Sequence, residues 1–190
     1  MNFEKEKKEF LTKKDKSRKG TIDNRIKKLV NKINSLDDFY TTSSCSGRVL
    51  ILAMPKSNKK NEVQYLFTTH NKTDFNQIKN ILLIKKLPKD DVWFKVDGAI
   101  LHVASNNINS AKKFLNTARD IGFKRSGIIS VGKNRVTMEL ISTEKIETIV
   151  SKNEKLLIDE SYFKVLIKEG NAKLEKTWKK IDKLHDKLIK

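Results

Sequence analysis

The apolar positions of this sequence fall into two rhythms that take turns along the chain. Ile22, Ile26, Leu29, Val30 and Ile33 recur at helical spacing, which predicts a helix starting at Thr21-Ile22-Asp23. Asp23 is its expected N-cap, and Lys27, Lys28 and Lys32 lie off the apolar stripe. Val49-Leu50-Ile51-Leu52-Ala53-Met54 is a continuous apolar run of strand length. The loop Pro55–Glu62 leads to a returning strand, Val63–Thr69, and the two form a long-looped hairpin. Thr73 or Asp74 caps a helix carrying Phe75, Ile78, Ile81, Leu82 and Leu87, stopped by Pro88. Val92–Val96 and Ala99–Ala104 flank Asp97-Gly98, the two-residue signal of a second hairpin. Ile108–Ile121 then reads as a helix with Ile108, Ala111, Phe114, Leu115 and Ala118 inward and Gly122 at its C-terminal cap. Gly127–Val131 and Arg135–Ile141 form a third strand pair, and Ile146–Val150 a further short strand.

Helical patterns stand at both ends. Residues 2–19 are charge-dense, with Phe3, Phe10 and Leu11 as anchors and Gly20 as a breaker. From Asp159 to Lys190 a long stretch carries the seam Phe163, Leu166, Ile167, Leu174, Trp178, Ile181, Leu184 and Leu188, with a break expected at Gly170. The order hairpin, helix, hairpin, helix, hairpin predicts an α+β fold. Its sheet is mixed or mostly antiparallel, built from repeated hairpin–helix units, with helical N- and C-terminal segments. A single domain over residues 1–190 is expected, with N-terminal helices at 1–38, a sheet core at 39–150 and a basic C-terminal helix at 159–190.

Charge narrows the class of partner. With 41 Lys+Arg against 23 Asp+Glu the net charge is +18, which calls for a polyanion: nucleic acid first, an anionic membrane surface second. No apolar run approaches the roughly 18 residues of a membrane span, and Met1-Asn2-Phe3-Glu4-Lys5 lacks a signal-peptide core, so a cytoplasmic protein is expected. The single Cys45 excludes an internal disulfide and a multi-cysteine zinc site.

The densest candidate chemistry is Thr41-Thr42-Ser43-Ser44-Cys45-Ser46-Gly47-Arg48, read as a polar loop feeding the strand at Val49. Its hydroxyls, the amides around Gly47 and the fork of Arg48 suit an anion; a Ser/Thr turn closing the strand is the plainer reading. Only six of the 41 cations are arginines, which directs attention to sites where a planar donor matters, and two of them adjoin Ser-Gly pairs: Ser46-Gly47-Arg48 and Arg125-Ser126-Gly127. His70 and His102 sit at or within strands, as core residues or as acid–base groups; His185 lies on the C-terminal helix. No G-x-G-x-x-G, Walker loop, H-E-x-x-H or aromatic RNA-binding block is present.

Several of these stretches together resemble the tRNA wybutosine-synthesising protein 3 family. They are Lys16-Ser17-Arg18-Lys19-Gly20 with Asp23, Tyr40 through Arg48, Thr69-His70 and Leu101-His102-Val103. Gly122 through Ile128, Val131-Gly132-Lys133, Val136-Thr137-Met138 and Ile141-Ser142-Thr143 continue the likeness over nearly the whole chain. The resemblance implies an S-adenosylmethionine-dependent methyltransferase acting on ring nitrogen 4 of the demethylated tricyclic guanosine beside the anticodon of phenylalanine tRNA. It implies no metal and a methyl-donor site built without the usual fingerprint. On that basis His102 and His70 are the expected proton acceptors. Ser44, Ser46, Gly47, Arg48, Arg125, Ser126 and Gly127 are expected to converge with them on one pocket and hold the donor's carboxylate or a tRNA phosphate. The competing expectations are a non-catalytic tRNA-binding accessory protein and, less favoured, a metal-independent ribonuclease using His70 and His102 with Arg48.

Overall fold

The computed structural model describes residues 2–12, 21–57, 59–81 and 86–189. Contacts divide them into two compact units, each gathered from several segments. Unit 1 comprises residues up to Ser46, then Ala99–Thr143, then Thr177 onward; unit 2 comprises Gly47–Gly98 and Glu144–Lys176. The α+β class stands, and every strand pair among the described residues is antiparallel, but the strands form two sheets rather than one.

Unit 1 holds a four-stranded sheet in the order β1-β5-β7-β6, from Phe39–Cys45, Ile100–Ser105, Val136–Ile141 and Gly127–Val131. Its inner face is apolar by simple alternation: Leu101 and Val103 on β5 and Met138 and Leu140 on β7 are fully buried. Helix α2 (Asn24–Ser35) packs on β1, and its predicted stripe Ile26, Leu29, Val30 and Ile33 is buried. Helix α4 (Ile108–Ile121) packs on β5 and β7 through Ala111, Phe114, Leu115 and Ala118. Gly122 ends α4 at φ 119°, a left-handed conformation open to glycine, as its place in the sequence predicted. On the opposite face, α1 (Phe3–Thr12) sets Phe3 and Phe10 against Tyr40, ring centroids 5.4 and 5.5 Å away. Residues 13–19 of the expected N-terminal helix, with Gly20 and the Lys16–Gly20 motif, lie outside the described residues, as does Leu82 of the third predicted helix.

Unit 2 holds a five-stranded sheet in the order β3-β2-β4-β8-β9, from Gln64–Thr69, Arg48–Met54, Asp91–Asp97, Lys145–Lys152 and Lys155–Leu156. The long-looped hairpin β2–β3 forms as expected. Helix α3 spans Phe75–Lys79, with the Asp74 carboxylate accepting the Gln77 amide at 3.0 Å. Phe94 and Val96 of β4 face α5 (Glu160–Ile189), with Phe94 and Phe163 edge to face at 6.3 Å.

Three expectations are corrected. First, Asp97-Gly98 does not turn a hairpin: β4 pairs with β2 and β8, and β5 with β1 and β7. The two strands bury their apolar faces in different cores, and this outweighs the local turn preference. The polar groups a turn would pair are satisfied elsewhere, Asp97 by Arg48 and the Ala99 amide by the Thr177 hydroxyl. Trp93 and Lys95 therefore share no hairpin with His102, and Lys95 pairs with Glu147 on β8. Second, Thr41–Ser44 is not a loop but the body of β1, where β-branched Thr and the pairing with β5 favour an extended chain. Third, Gly170 does not break α5, which runs unbroken for 30 residues. A Cβ there would lie 3.1 Å from Val96 and 3.4 Å from Phe94, so glycine is what lets the helix approach the sheet.

Unit 2 carries a pH-sensitive element. Hydrogen bonds from Lys145 and Lys95 hold the Glu147 carboxyl below its usual range. A folded-state value below the unfolded one contributes stability that is fully present above the ordinary glutamate range and is lost as pH falls through the lowered value. Glu147→Gln is expected to flatten the acid limb in chemical denaturation by lowering stability at neutral pH, with wild type and variant converging as pH falls through the lowered value.

Candidate functional site

The outer face of the unit 1 sheet brings a row of polar positions together. Strand register places Ser43, His102, Glu139 and Gly127 directly opposite one another across β1, β5, β7 and β6. Opposed residues in antiparallel pairs project to the same face, so the row lies opposite the buried Leu101–Val103–Met138–Leu140 side. His102 Nε2 and Glu139 Oε1 are 2.9 Å apart, with side chains 33% and 28% exposed. A carboxylate accepts, so Nε2 carries the hydrogen, and among the described residues Nδ1 has no hydrogen-bond partner. Beside Glu139, Gly127 leaves bare floor: a Cβ built there meets nothing within 4 Å. Two residues along β5, Ala104 lies opposite Tyr40. There the Tyr40 hydroxyl donates to Glu6 at 3.1 Å and accepts from Arg135 at 2.9 Å, and Arg135 also pairs with Glu6. Burial holds the Tyr40 phenol above its usual range, against the opposing pull of Arg135. The result is a half-open polar shelf, bounded at one end by α1, with an imidazole whose free nitrogen is basic.

The other predicted site residues have distinct surroundings. Ser46 is fully buried and internally satisfied. Its amide and hydroxyl each donate to Asp23 Oδ2 at 3.1 Å, and its carbonyl accepts the Trp178 indole at 3.1 Å. Asp23 stands at the N-cap position of α2 but makes no side-chain cap bond; its carboxylate serves Ser46 instead. Ser126 is similarly consumed, its hydroxyl donating to Phe123 O at 2.7 Å and accepting the Ile141 amide at 3.1 Å. The planar arginine fork anticipated near the Ser-Gly pair is Arg119, whose Nε and Nη2 both donate to the Ser126 carbonyl at 3.1 and 2.6 Å. Arg125 is exposed, and no described residue bonds its guanidinium. Ser44 is half-buried on β1 opposite Leu101.

Gly47, Arg48 and His70 belong to unit 2. Gly47 has φ 98°, and its carbonyl lies 3.0 Å from His70 Nδ1. Arg48 donates through Nε to Asp97 at 3.1 Å, while its two terminal nitrogens have no partner among the described residues. In unit 1 a cavity of about 310 Å³ lies between α2 and the end of α5, lined by Arg25, Lys28 and His185 but also by Asp182 and Asp186. His185 Nδ1 and Asp186 Oδ1 are 3.2 Å apart there, and the mixed charge of the lining marks a surface groove.

Sequence reasoning missed Glu139. It is visible only as a charged position in the alternation Val136–Leu140; that it meets His102 depends on the register between β5 and β7, which are separated by α4 and β6. Ser46 and Ser126 show the converse, hydroxyls that look available in sequence and are internally bonded in the fold.

Comparison with known proteins places this chain in a family. The model of the family described as Methyltransferase TYW3 matches residues 5–190. The chain is 34% identical over 188 residues to tRNA(Phe) 7-((3-amino-3-carboxypropyl)-4-demethylwyosine(37)-N(4))-methyltransferase 1 of Pyrococcus furiosus, covering 98% of this chain and 95% of that protein. It is 35% identical to the Thermococcus sibiricus tRNA(Phe) 7-((3-amino-3-carboxypropyl)-4-demethylwyosine(37)-N(4))-methyltransferase, covering 100% of this chain and 95% of that one. The solved structure of the PH1069 protein from Pyrococcus horikoshii superposes with a TM-score of 0.88 at 32% identity, covering 98% of this chain and 96% of that one. With sequence and fold agreeing from one end to the other, the chain belongs to the Methyltransferase TYW3 family.

Proposed function

We infer that this protein is an S-adenosylmethionine-dependent tRNA methyltransferase acting on ring nitrogen 4 of the 4-demethylwyosine-type guanosine beside the anticodon of phenylalanine tRNA. The observation that carries this reading is the end-to-end relationship to proteins named for that reaction. Methyl transfer from a sulfonium requires alignment and a nitrogen relieved of its proton, not an elaborate catalytic apparatus. His102 supports the reading, being half-exposed on an open shelf with one basic ring nitrogen free. The bare floor at Gly127 gives a flat ring room to lie beside it. Arg125, exposed and adjoining that turn, suits the donor's carboxylate or a tRNA phosphate, and the terminal nitrogens of Arg48 suit an anion in unit 2.

The test is methyl transfer from labelled S-adenosylmethionine to phenylalanine tRNA carrying the demethylated tricyclic base, with unmodified tRNA as control. Label in the modified tRNA alone is the expected result. Salt-sensitive tRNA binding without transfer would favour the accessory-protein reading, and strand scission the ribonuclease reading. The +18 charge predicts that phosphates dominate tRNA affinity. Contacts with roughly six to ten phosphates would weaken binding about 10³- to 10⁵-fold between about 50 and 200 mM salt, measurable by filter binding.

A further inference from the structure

The hydrogen bond across β5 and β7 assigns a role to a residue that neither sequence nor comparison singled out. We propose that Glu139 is the positioning residue for His102: by accepting the Nε2 hydrogen it holds the imidazole in one tautomer and one ring orientation, with the Nδ1 lone pair presented to the acceptor base. This rests on the reading of His102 as the proton acceptor.

Three observations converge on it. The 2.9 Å contact is between directly opposed strand positions, so backbone register rather than a flexible loop holds both groups. The neutral imidazole has one donor and one acceptor nitrogen, and the bond to a carboxylate decides which is which. The next residue in the row is Gly127, where open space lies beside the pair instead of a third side chain. In the step this serves, the acceptor nitrogen's electron pair forms the new N–C bond. The methyl–sulfur bond breaks with its pair left on sulfur, and the N–H proton passes to His102 Nδ1. The imidazolium so formed remains bonded to the Glu139 carboxylate. The proton later leaves to solvent, to which the pair is partly open.

Imidazole-detected ¹⁵N NMR on histidine-labelled protein, at mildly alkaline pH, reads the tautomer without needing turnover. His102 is expected to show a protonated Nε2 and a bare Nδ1; in Glu139→Gln that preference collapses toward a mixture. In single-turnover assays Glu139→Gln is expected to lower the rate by about 10²- to 10⁴-fold, the upper end being the loss when the carboxylate orienting an imidazole base is replaced by an amide. KM for tRNA should stay within about twofold, since Glu139 would not act in tRNA binding. A wild-type spectrum with Nδ1 protonated overturns the proposal, as does a folded Glu139→Gln protein retaining both the wild-type tautomer and the wild-type rate. Absence of methyl transfer by the wild-type protein would instead sink the methyltransferase reading, and the wild-type spectrum would still decide the tautomer.

Discussion

His102→Ala is expected to reduce methyl transfer by roughly 10²- to 10⁴-fold while leaving tRNA affinity and folding almost intact. The argument is geometric. The imidazole is half-exposed, its one described bond is to Glu139, and its strand neighbours Leu101 and Val103 carry the burial on the other face. Losing one partly exposed hydrogen bond costs about 1 kcal/mol, small against the stability of a domain. The loss should therefore appear in turnover and not in melting temperature. Single-turnover rates together with thermal melts check this; a folded variant with wild-type rate would remove His102 from the reaction.

Asp23→Ala is expected to have the largest structural effect among the polar residues of unit 1. One carboxylate oxygen receives both the amide and the hydroxyl of Ser46, and Ser46 is fully buried. Removing the acceptor strands two donors where no water reaches, at about 1–3 kcal/mol each. It also loosens the segment whose carbonyl holds the Trp178 indole, itself covered by the Arg25 guanidinium at 4.6 Å. A loss of about 2–6 kcal/mol is expected, read in denaturant titration as a lower midpoint with an unchanged slope. Ser46→Ala, which removes one donor and leaves the carboxylate its amide partner, should cost clearly less. Equal losses from the two would mean that the Asp23–Ser46 pairing is not what stabilises this corner.

What the sequence disclosed was whatever depends on neighbours in the chain. The stripes of α2, α4 and α5, the cap at Gly122, the Asp74 cap of α3 and the hairpins β2–β3 and β6–β7 follow from local periodicity and turn chemistry, and they formed as read except at Ile108, expected inward on α4 but exposed on its first turn. What failed was decided at a distance. Asp97-Gly98 is a strong turn signal, but nothing local tells β4 and β5 that their apolar faces belong to separate cores. Gly170 reads as a break until Phe94 and Val96 are known to press against it. The candidate site divides the same way. His102 was legible as an unusual residue in a strand, whereas Glu139 becomes its partner only through long-range register, and the apparent availability of Ser46 and Ser126 vanished once their bonds were known.

The manner in which the two units share the chain bears on how the protein is made. Unit 1 draws Trp178, Ile181 and Leu184 into its core from a segment that follows both stretches of unit 2. During synthesis the chain emerges in order, so the unit 1 sheet can be complete through Ile141 while the helix that covers part of its core has yet to be translated. Unit 2 likewise waits across the whole of Ala99–Thr143 for β8, its strand next to β4. Folding is thereby weighted toward late, long-range closure, which slows it and keeps apolar surface exposed on the nascent chain. A ribosome stalled just before Thr177 should therefore display a protease-sensitive polypeptide, and release of the remaining residues should bring protection to both ends of unit 1 together.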